Sequence, residues 1–139
     1  MSAIQNPTPR RWTREEYHRA ADVGLIRPEE RLELVKGEIL QKFGERDTPH
    51  ATALRKTTDA LEAAFASGFD IRPQLPLALA ADSEPEPDVA AVAGSVDDFP
   101  EEHPTPEQTR LVVEISDSTL SVDRGMKAAL YAEAGIPEY

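Results

Sequence analysis

Leu111-Val112-Val113-Glu114-Ile115-Ser116 is the strongest strand signal in the chain. The run is apolar and rich in β-branched residues, which predicts a strand buried on both faces. An ionised Glu114 in such a strand is unusual, because buried charges are almost always paired. We therefore expect a cation next to Glu114, which is either a Lys or Arg side chain or a metal ion.

A second carboxylate lies at the start of the preceding strand. Pro87-Asp88 comes directly before the apolar run of residues 89–92. If the two strands are neighbours in one sheet, Asp88 and Glu114 converge on one divalent cation, and the backbone carbonyl of Ile115 adds a ligand. Mg²⁺ favours such oxygen ligands, and Mn²⁺ is suited to them as well. The alternative is that Asp88 makes only a local hydrogen bond to the backbone.

Lys127 lies on the helix that we predict over residues 121–134, directly after the Glu114 strand. Gly135 and Pro137 end this helix. Lys127 is either part of an ordinary solvated helix face, or it reaches back over Glu114. In the second case it orients a water molecule or steadies a phosphate group.

Residues 32–41 predict a β-hairpin, because two alternating runs flank the two-residue turn Lys36-Gly37. With a turn of this length, Glu33 and Glu38 point to the same face of the hairpin. Both are candidates for an additional acid that extends the metal site to a second ion. The residues on the opposite face, which we expect in the core, are Leu32, Leu34 and Ile39.

Helix signals occur at two places before the strands. Thr13 and Glu16 form a capping box that starts a short helix. Thr48-Pro49 starts a second helix, which ends at Gly68. His50 lies in the first turn of the second helix, where free N–H groups and the helix dipole favour anions. It is therefore either a phosphate contact or a surface histidine.

The order of elements predicts an α/β or α+β fold in which helices pack against a sheet. Short strands are expected over residues 69–72 and 75–79. Pro73 and Pro76 indicate that at least one of them is an edge strand. We expect residues 1–11 to be a flexible arm and residues 12–139 to be a single domain. Because the chain stops directly after the last helix, where a strand normally follows, we expect that C-terminal strands are missing.

The formal net charge is -11, and the excess of acids lies in the second half of the chain. Between Asp82 and Thr109 there are nine acids and no Lys or Arg. This balance is poor for general DNA binding, but it suits a cation site or an acidic surface. The chain has no cysteine, and its start has no apolar stretch that could act as a signal peptide or membrane anchor. We expect a cytoplasmic protein without a membrane partner.

Taken together, these motifs resemble the Uma-type putative restriction endonucleases, a family of the PD-(D/E)XK nuclease superfamily. The resemblance covers the chain from about Trp12 onward. The segments that carry it are Glu33-Leu34-Val35-Lys36-Gly37-Glu38-Ile39, Pro49-His50, Pro85-Glu86-Pro87-Asp88-Val89-Ala90, Leu111-Val112-Val113-Glu114-Ile115-Ser116, Asp123-Arg124-Gly125-Met126-Lys127 through Tyr131, and Ala134-Gly135-Ile136-Pro137-Glu138-Tyr139.

The resemblance implies a restriction-endonuclease-like mixed β-sheet flanked by helices, and metal-dependent hydrolysis of phosphodiester bonds in nucleic acid. Asp88 and Glu114 match the two metal-binding acids of the family, and Glu38, with Glu33 behind it, matches the extra acid. The superfamily pattern has a lysine two residues after the second acid, where this chain has Ser116. Uma-type members are similar in this respect, with the lysine moved to the following helix, where Lys127 stands. The family pattern also continues with a Trp-led strand after the last segment.

We therefore expect a Mg²⁺- or Mn²⁺-dependent endonuclease that acts on DNA. The alternative is a non-catalytic nuclease-fold module in protein assembly, which the acidic charge and the missing strands favour. A third candidate is a metal-dependent hydrolase of a smaller phosphate ester. A homo-dimer or higher homo-oligomer is expected for the enzyme, because cutting two strands needs two sites.

Overall fold

The structure of the protein is a computed structural model that describes residues 5–42, 48–115 and 121–139, with the backbone alone at residues 48 and 121–124. Two short 3-10 turns, Val96–Asp98 and Pro106–Gln108, lie in the long connection before the last strand. The helices and strands in chain order are α1 (Arg14–Asp22), β1 (Leu32–Val35), β2 (Glu38–Gln41), α2 (Thr48–Phe65), β3 (Phe69–Pro73), β4 (Val89–Ala93), β5 (Thr109–Val113) and α3 (Ser121–Ala134).

The predicted start of α1 and the predicted end of α3 are confirmed. The Glu16 N–H donates to Thr13 Oγ1 at 3.1 Å, and the Thr13 N–H donates to Glu16 Oε1 at 3.0 Å. This capping box satisfies two backbone donors that the first turn of α1 would otherwise leave unpaired. At the other end of the chain, α3 stops before Gly135, whose φ of 80° is the left-handed conformation that ends a helix.

Two small antiparallel sheets form the β-structure of the described residues. One is the hairpin β1–β2, whose register is the predicted one, with Glu33 opposite Leu40. The other has the strand order β3-β4-β5. A parallel bridge between Leu111 and Glu138 places the residues after α3 along the outer edge of β5. The predicted α/β fold is therefore confirmed, and parallel pairing in the described part of the chain is limited to this bridge.

The hydrophobic core lies between the hairpin, the three-stranded sheet and α3. The prediction that the opposite hairpin face supplies the core was only partly right. Leu34 is fully buried, as predicted. Val35, however, belongs to the core cluster and Leu40 packs against this cluster, and both lie on the hairpin face that carries Glu33, so that face also points inward. The members of the core cluster are Val35, Leu77, Leu79, Ala90, Val92, Val112, Leu130, Tyr131 and Ile136.

Two predicted strands differ from the structure. Residues 75–79 form no strand but one side of a tight turn, in which the Leu77 N–H donates to the Pro85 carbonyl and the Leu79 N–H to the Ser83 carbonyl. Pro76 has no N–H to give to a ladder, which explains why regular pairing fails here. The strand predicted over 110–116 is assigned as Thr109–Val113, so Glu114 follows the strand directly, and Ser116 lies outside the described residues.

The hairpin turn is the point where the N-terminal residues attach to the domain. The Trp12 N–H donates to the Gly37 carbonyl at 2.8 Å, and the Arg11 side chain lies over Gly37. Residues 5–11 are exposed and form no helix or strand. The division into a flexible arm, residues 1–11, and a single domain, residues 12–139, stays a prediction.

We predict that Gly37→Ala destabilises the protein more than Gly68→Ala. Both glycines have a positive φ, 80° and 89°, so each substitution pays the strain of the left-handed region, roughly 1–2 kcal/mol. A Cβ at Gly37 would in addition lie 2.7 Å from the Cβ of Arg11, whereas a Cβ at Gly68 meets no atom within 4 Å. Urea unfolding of both variants tests this, and equal losses would contradict the packing of Arg11 on the turn.

Candidate active site

The register between β4 and β5 brings Asp88 and Glu114 together. In this antiparallel pair, Val89 lies opposite Val113. Asp88 precedes Val89 and Glu114 follows Val113, so the same register, continued by one residue, sets the two acids opposite each other at the end of the ladder. Opposite residues in an antiparallel pair share a face and lie close together. The sheet therefore sets the two acids side by side, and their convergence on one metal ion stays a prediction.

Two neighbours hold the Asp88 carboxylate. The backbone N–H of Ile115 donates to Asp88 Oδ2 at 2.7 Å. Nε2 of His50, in the first turn of α2, lies 3.4 Å from Asp88 Oδ1. The sequence left open that Asp88 makes only a local hydrogen bond to the backbone. Asp88 does accept a backbone hydrogen bond, but from the neighbouring chain segment after β5, and this bond fixes the carboxylate beside Glu114. His50 lies against this acid, so it belongs to the same group of side chains.

Lys127 is buried, with 7% of its surface exposed, so the alternative of a solvated helix face is wrong. Its Nζ lies 3.0 Å from Glu33 Oε1 and forms a second ion pair with Glu114 Oε1. The ammonium group therefore bridges one acid from the hairpin and one from the end of β5. The expected cation next to Glu114 is in this structure the Lys127 side chain.

Tyr131 adds a second donor from α3. It lies four residues after Lys127, a spacing that places both side chains on one helix face. Its hydroxyl donates to Glu114 Oε1 at 2.6 Å, and the ring is fully buried in the core. One oxygen of Glu114 thus accepts from both side chains, and α3 is fixed against the end of the sheet.

The two hairpin glutamates have different environments. Glu33 is 6% exposed, and its Oε1 accepts a hydrogen bond from the Glu86 N–H at 3.1 Å in addition to its ion pair with Lys127. Glu38 is only half-buried and lies opposite Val35 in the hairpin. Of the two predicted extra acids, Glu33 is the one that contacts Lys127.

Burial controls the electrostatics of this group. Removal from water raises the pKa of Glu114. The charge of Lys127 and the hydrogen bonds from Lys127 and Tyr131 offset only part of this effect, and the charge of Asp88 raises the pKa further. Burial alone would lower the pKa of Lys127, but the attraction of Glu114 and Glu33 outweighs it and the pKa is raised. Lys127 is therefore an ammonium group at neutral pH.

The donor atoms of this group suit a hard divalent cation. Glu33, Asp88 and Glu114 bring three carboxylates, whereas Lys127 brings one positive charge, so the negative charge is in excess. Oxygen-rich, negatively charged surroundings are what Mg²⁺ and Mn²⁺ bind. The N–H of Ile115 points at Asp88, and a role of its carbonyl as a ligand stays a prediction.

A second group of metal-binding side chains was missed by the sequence analysis. The ligand atoms of His18, Glu84 and His103 all lie within 4.8 Å of one another. Nε2 of His18 is 2.8 Å from Glu84 Oε2, and Nε2 of His103 is 3.7 Å from Glu84 Oε1. Burial lowers the pKa of His103. The three residues are far apart in the sequence and show no ligand spacing, so only the fold reveals the group.

Comparison with known proteins places the chain in a family. None of the helices in the described ranges combines the length and the apolar character needed to cross a membrane. A search of curated proteins finds no match. The family model described as "Uma2: Putative restriction endonuclease" matches residues 14–139, which is nearly the whole chain, and confirms the resemblance seen in the sequence. The chain therefore belongs to the Uma2 family of putative restriction endonucleases, a nuclease family with a restriction-endonuclease-like fold.

Proposed function

We propose that the protein is a metal-dependent endonuclease that hydrolyses phosphodiester bonds in DNA. The observation that carries the proposal is the buried Lys127 ammonium group, which contacts Glu33 and Glu114 next to Asp88. Three carboxylates and a lysine at the end of a sheet combine a cation site with a fixed positive charge. Family membership supports a nuclease, and the geometry supports these residues as its site.

Asp88 and Glu114, with the Ile115 carbonyl, are the proposed ligands of Mg²⁺ or Mn²⁺. Such an ion, when bound, polarises the scissile phosphate and lowers the pKa of a water molecule. Asp88 is already held in place by the Ile115 N–H, so one ligand is oriented before the ion arrives. Replacing buried carboxylate–lysine attraction by carboxylate–metal attraction also relieves the burial penalty that raises the pKa of Glu114.

Lys127 acts as a hydrogen-bond donor and positive charge in this proposal. Because its pKa is raised, the side chain remains protonated and does not serve as the base that takes a proton from water. It orients the attacking water and stabilises the negative charge that builds on the phosphate in the transition state. Glu33 positions this ammonium group, since its Oε1 is held between Lys127 and the Glu86 N–H.

His50 and Glu38 have supporting roles in the proposal. His50 lies at the start of α2 beside Asp88, where its imidazole can contact a substrate phosphate. Glu38, half-buried on β2, is the remaining candidate for an acid at a second ion. A homo-dimer and a cytoplasmic location remain predictions that accompany the enzyme.

The second candidate is a non-catalytic nuclease-fold module that acts in protein assembly. It is favoured by the net charge of -11, because phosphate neutralisation normally supplies much of the affinity for DNA. It is also compatible with Lys127 as a permanent counter-ion of Glu33 and Glu114. The two candidates differ in what a divalent ion does to the protein, which the following experiment measures.

We predict that Glu114→Gln reduces DNA cleavage by about a hundredfold or more, since the loss of outer-shell partners alone can cost 10–100-fold at a metal site. Plasmid and single-stranded DNA with Mg²⁺ or Mn²⁺ are the substrates, and calorimetry of the Mn²⁺ titration is the second readout. Glu133→Gln replaces an exposed acid on α3; it is the control and should cleave like the unmodified protein.

The outcome separates the two candidates. Mn²⁺ uptake with cleavage that Glu114→Gln abolishes supports the enzyme. Cleavage that is unchanged in Glu114→Gln rejects the assigned residues, because it then comes from another site or another protein. Neither uptake nor cleavage in the unmodified protein supports the assembly module.

We also predict that Lys127→Met lowers the free energy of unfolding by about 3–5 kcal/mol, because it leaves Glu33 and Glu114 buried without their counter-ion. Lys36→Met is the control, since Lys36 Nζ lies at the same 3.0 Å from its partner, Glu133, but the pair is on the surface. It should cost less than about 1 kcal/mol. Urea unfolding with a chelator present measures both, and equal costs would contradict the importance of burial.

A further inference from the structure

We propose that His18, Glu84 and His103 form a binding site for a transition-metal ion of the Zn²⁺ type, separate from the Asp88–Glu114 group. The donor set is two imidazole Nε2 atoms and one carboxylate. Zn²⁺ and Co²⁺ bind such nitrogen and oxygen ligands well, whereas Mg²⁺ prefers oxygen ligands alone. The chain would thus hold two cation sites of different chemistry.

The distances fit such an ion after a small adjustment. Zn²⁺ at 2.0–2.1 Å from tetrahedral ligands sets the ligand atoms about 3.3 Å apart. Nε2 of His18 is 2.9 Å and Nε2 of His103 is 3.7 Å from the same Glu84 oxygen, Oε1. Those two separations therefore need to change by only about half an ångström. The ligand atoms of the two imidazoles are at most 4.8 Å apart, so they need to approach each other by up to about 1.5 Å.

The group combines a fixed carboxylate with adjustable imidazoles. Glu84 is 4% exposed, and its backbone is paired with Leu34 through two hydrogen bonds, at 2.7 and 3.3 Å. The side chains of His18 and His103 are 46% and 36% exposed, so they can rotate without disturbing the core. Their exposure also leaves the fourth ligand position open to water.

Arg14 does not block the ion. Its Nη2 donates to Glu84 Oε1 at 3.1 Å, and an ionised carboxylate can accept at both of its oxygens. An ion on Oε1 takes one lone pair of that oxygen, and the other lone pair and Oε2 remain for Arg14, which then orients the carboxylate as outer-shell partners do at known metal sites. Arg14 itself is fixed by its backbone N–H, which donates to the Ala81 carbonyl at 2.7 Å.

The part of the chain that carries two of the ligands is rich in acids. Two of the three ligands lie in the stretch from Asp82 to Thr109, which has nine acids and no Lys or Arg. Glu101 and Glu102 directly precede His103. Arg14 and Arg72 both bring positive charge to the group, so the three ligands themselves have to hold the ion, and the acids of the surrounding chain add only long-range attraction.

The ion would tie together three segments that are distant in the sequence. His18 lies on α1, Glu84 on the segment that pairs with β1, and His103 on the long connection between β4 and β5. The connection is already attached near His103, where the Pro104 carbonyl accepts from the Ala78 N–H at 2.8 Å. Metal binding therefore adds a cross-link from this connection to α1, and it should raise the unfolding temperature.

The test is a Co²⁺ titration of the full chain, followed by visible absorption and by calorimetry, in the presence of excess Mg²⁺. His18→Gln and His103→Gln should each weaken binding at least tenfold and change the absorption of the bound ion. We choose these two variants because both side chains are partly exposed, and because Glu84→Gln would also disrupt the ion pair with Arg14. Circular dichroism confirms that the variants are folded.

Two controls keep this site distinct from the proposed active site. His50→Gln removes the remaining histidine and should leave Co²⁺ binding unchanged. Asp88→Asn removes an oxygen ligand of the other group and should change Co²⁺ binding far less than either His18→Gln or His103→Gln. Zn²⁺ should raise the unfolding temperature of the unmodified protein and of Asp88→Asn, but not of His18→Gln or His103→Gln. Three results would each overturn the proposal: loss of saturable Co²⁺ binding in Asp88→Asn, binding by both histidine variants that is as tight as in the unmodified protein, or no saturable binding at all. None of these measurements depends on nuclease activity.

Discussion

The Lys127 ammonium group lies between Glu33 and Glu114 in the interior of the protein, and the arrangement of the surrounding elements depends on it. Two buried carboxylates close together repel each other and lose their hydration, so they persist only with a counter-ion and further hydrogen bonds. Lys127 supplies the charge, and Tyr131 and the Glu86 N–H supply the hydrogen bonds. Because the two acids lie on the hairpin and after β5, while the lysine lies on α3, a single ionic group connects both sheets to the last helix.

The same group explains why a cation site can exist in a core. Burial raises the pKa of Glu114, and Asp88 raises it further, so the positive charge of Lys127 offsets only part of the cost of burying this carboxylate. A divalent ion would offset more of this cost, so its binding energy comes from charges that the fold has already buried. In the proposed enzyme, Lys127 would then change from the counter-ion of the acids into a donor that faces the substrate, with no change in its own charge.

Local rules were sufficient for the elements that their own residues specify. The capping box of Thr13 and Glu16, the Lys36-Gly37 turn and the Gly135 helix end each depend on a few neighbouring residues, and all were predicted correctly. The pairing of Asp88 with Glu114 was predictable in kind because each adjoins a recognisable strand. The tight turn around Leu77 and the inward face of Val35 depend on which distant segments cover them, and the sequence carries no local sign of this. His18, Glu84 and His103 were missed for the same reason, since α1, the segment that pairs with β1 and the β4–β5 connection must come together before these side chains meet.

The five residues from Glu84 to Asp88 connect the two groups of side chains. Pro85 and Pro87 are fully buried and restrict the backbone on both sides of Glu86, so this segment is stiff. Glu84 faces the two histidines, and Asp88 faces Ile115, with Cα atoms at most about 14 Å apart even if the segment is fully extended. Charges at this separation are screened in open solution, but burial of both carboxylates weakens the screening. A divalent ion in either group would therefore raise the electrostatic cost of an ion in the other. The acid-rich stretch around the two groups counts against general DNA affinity, but its negative charge would lower the cost of two ions bound at once.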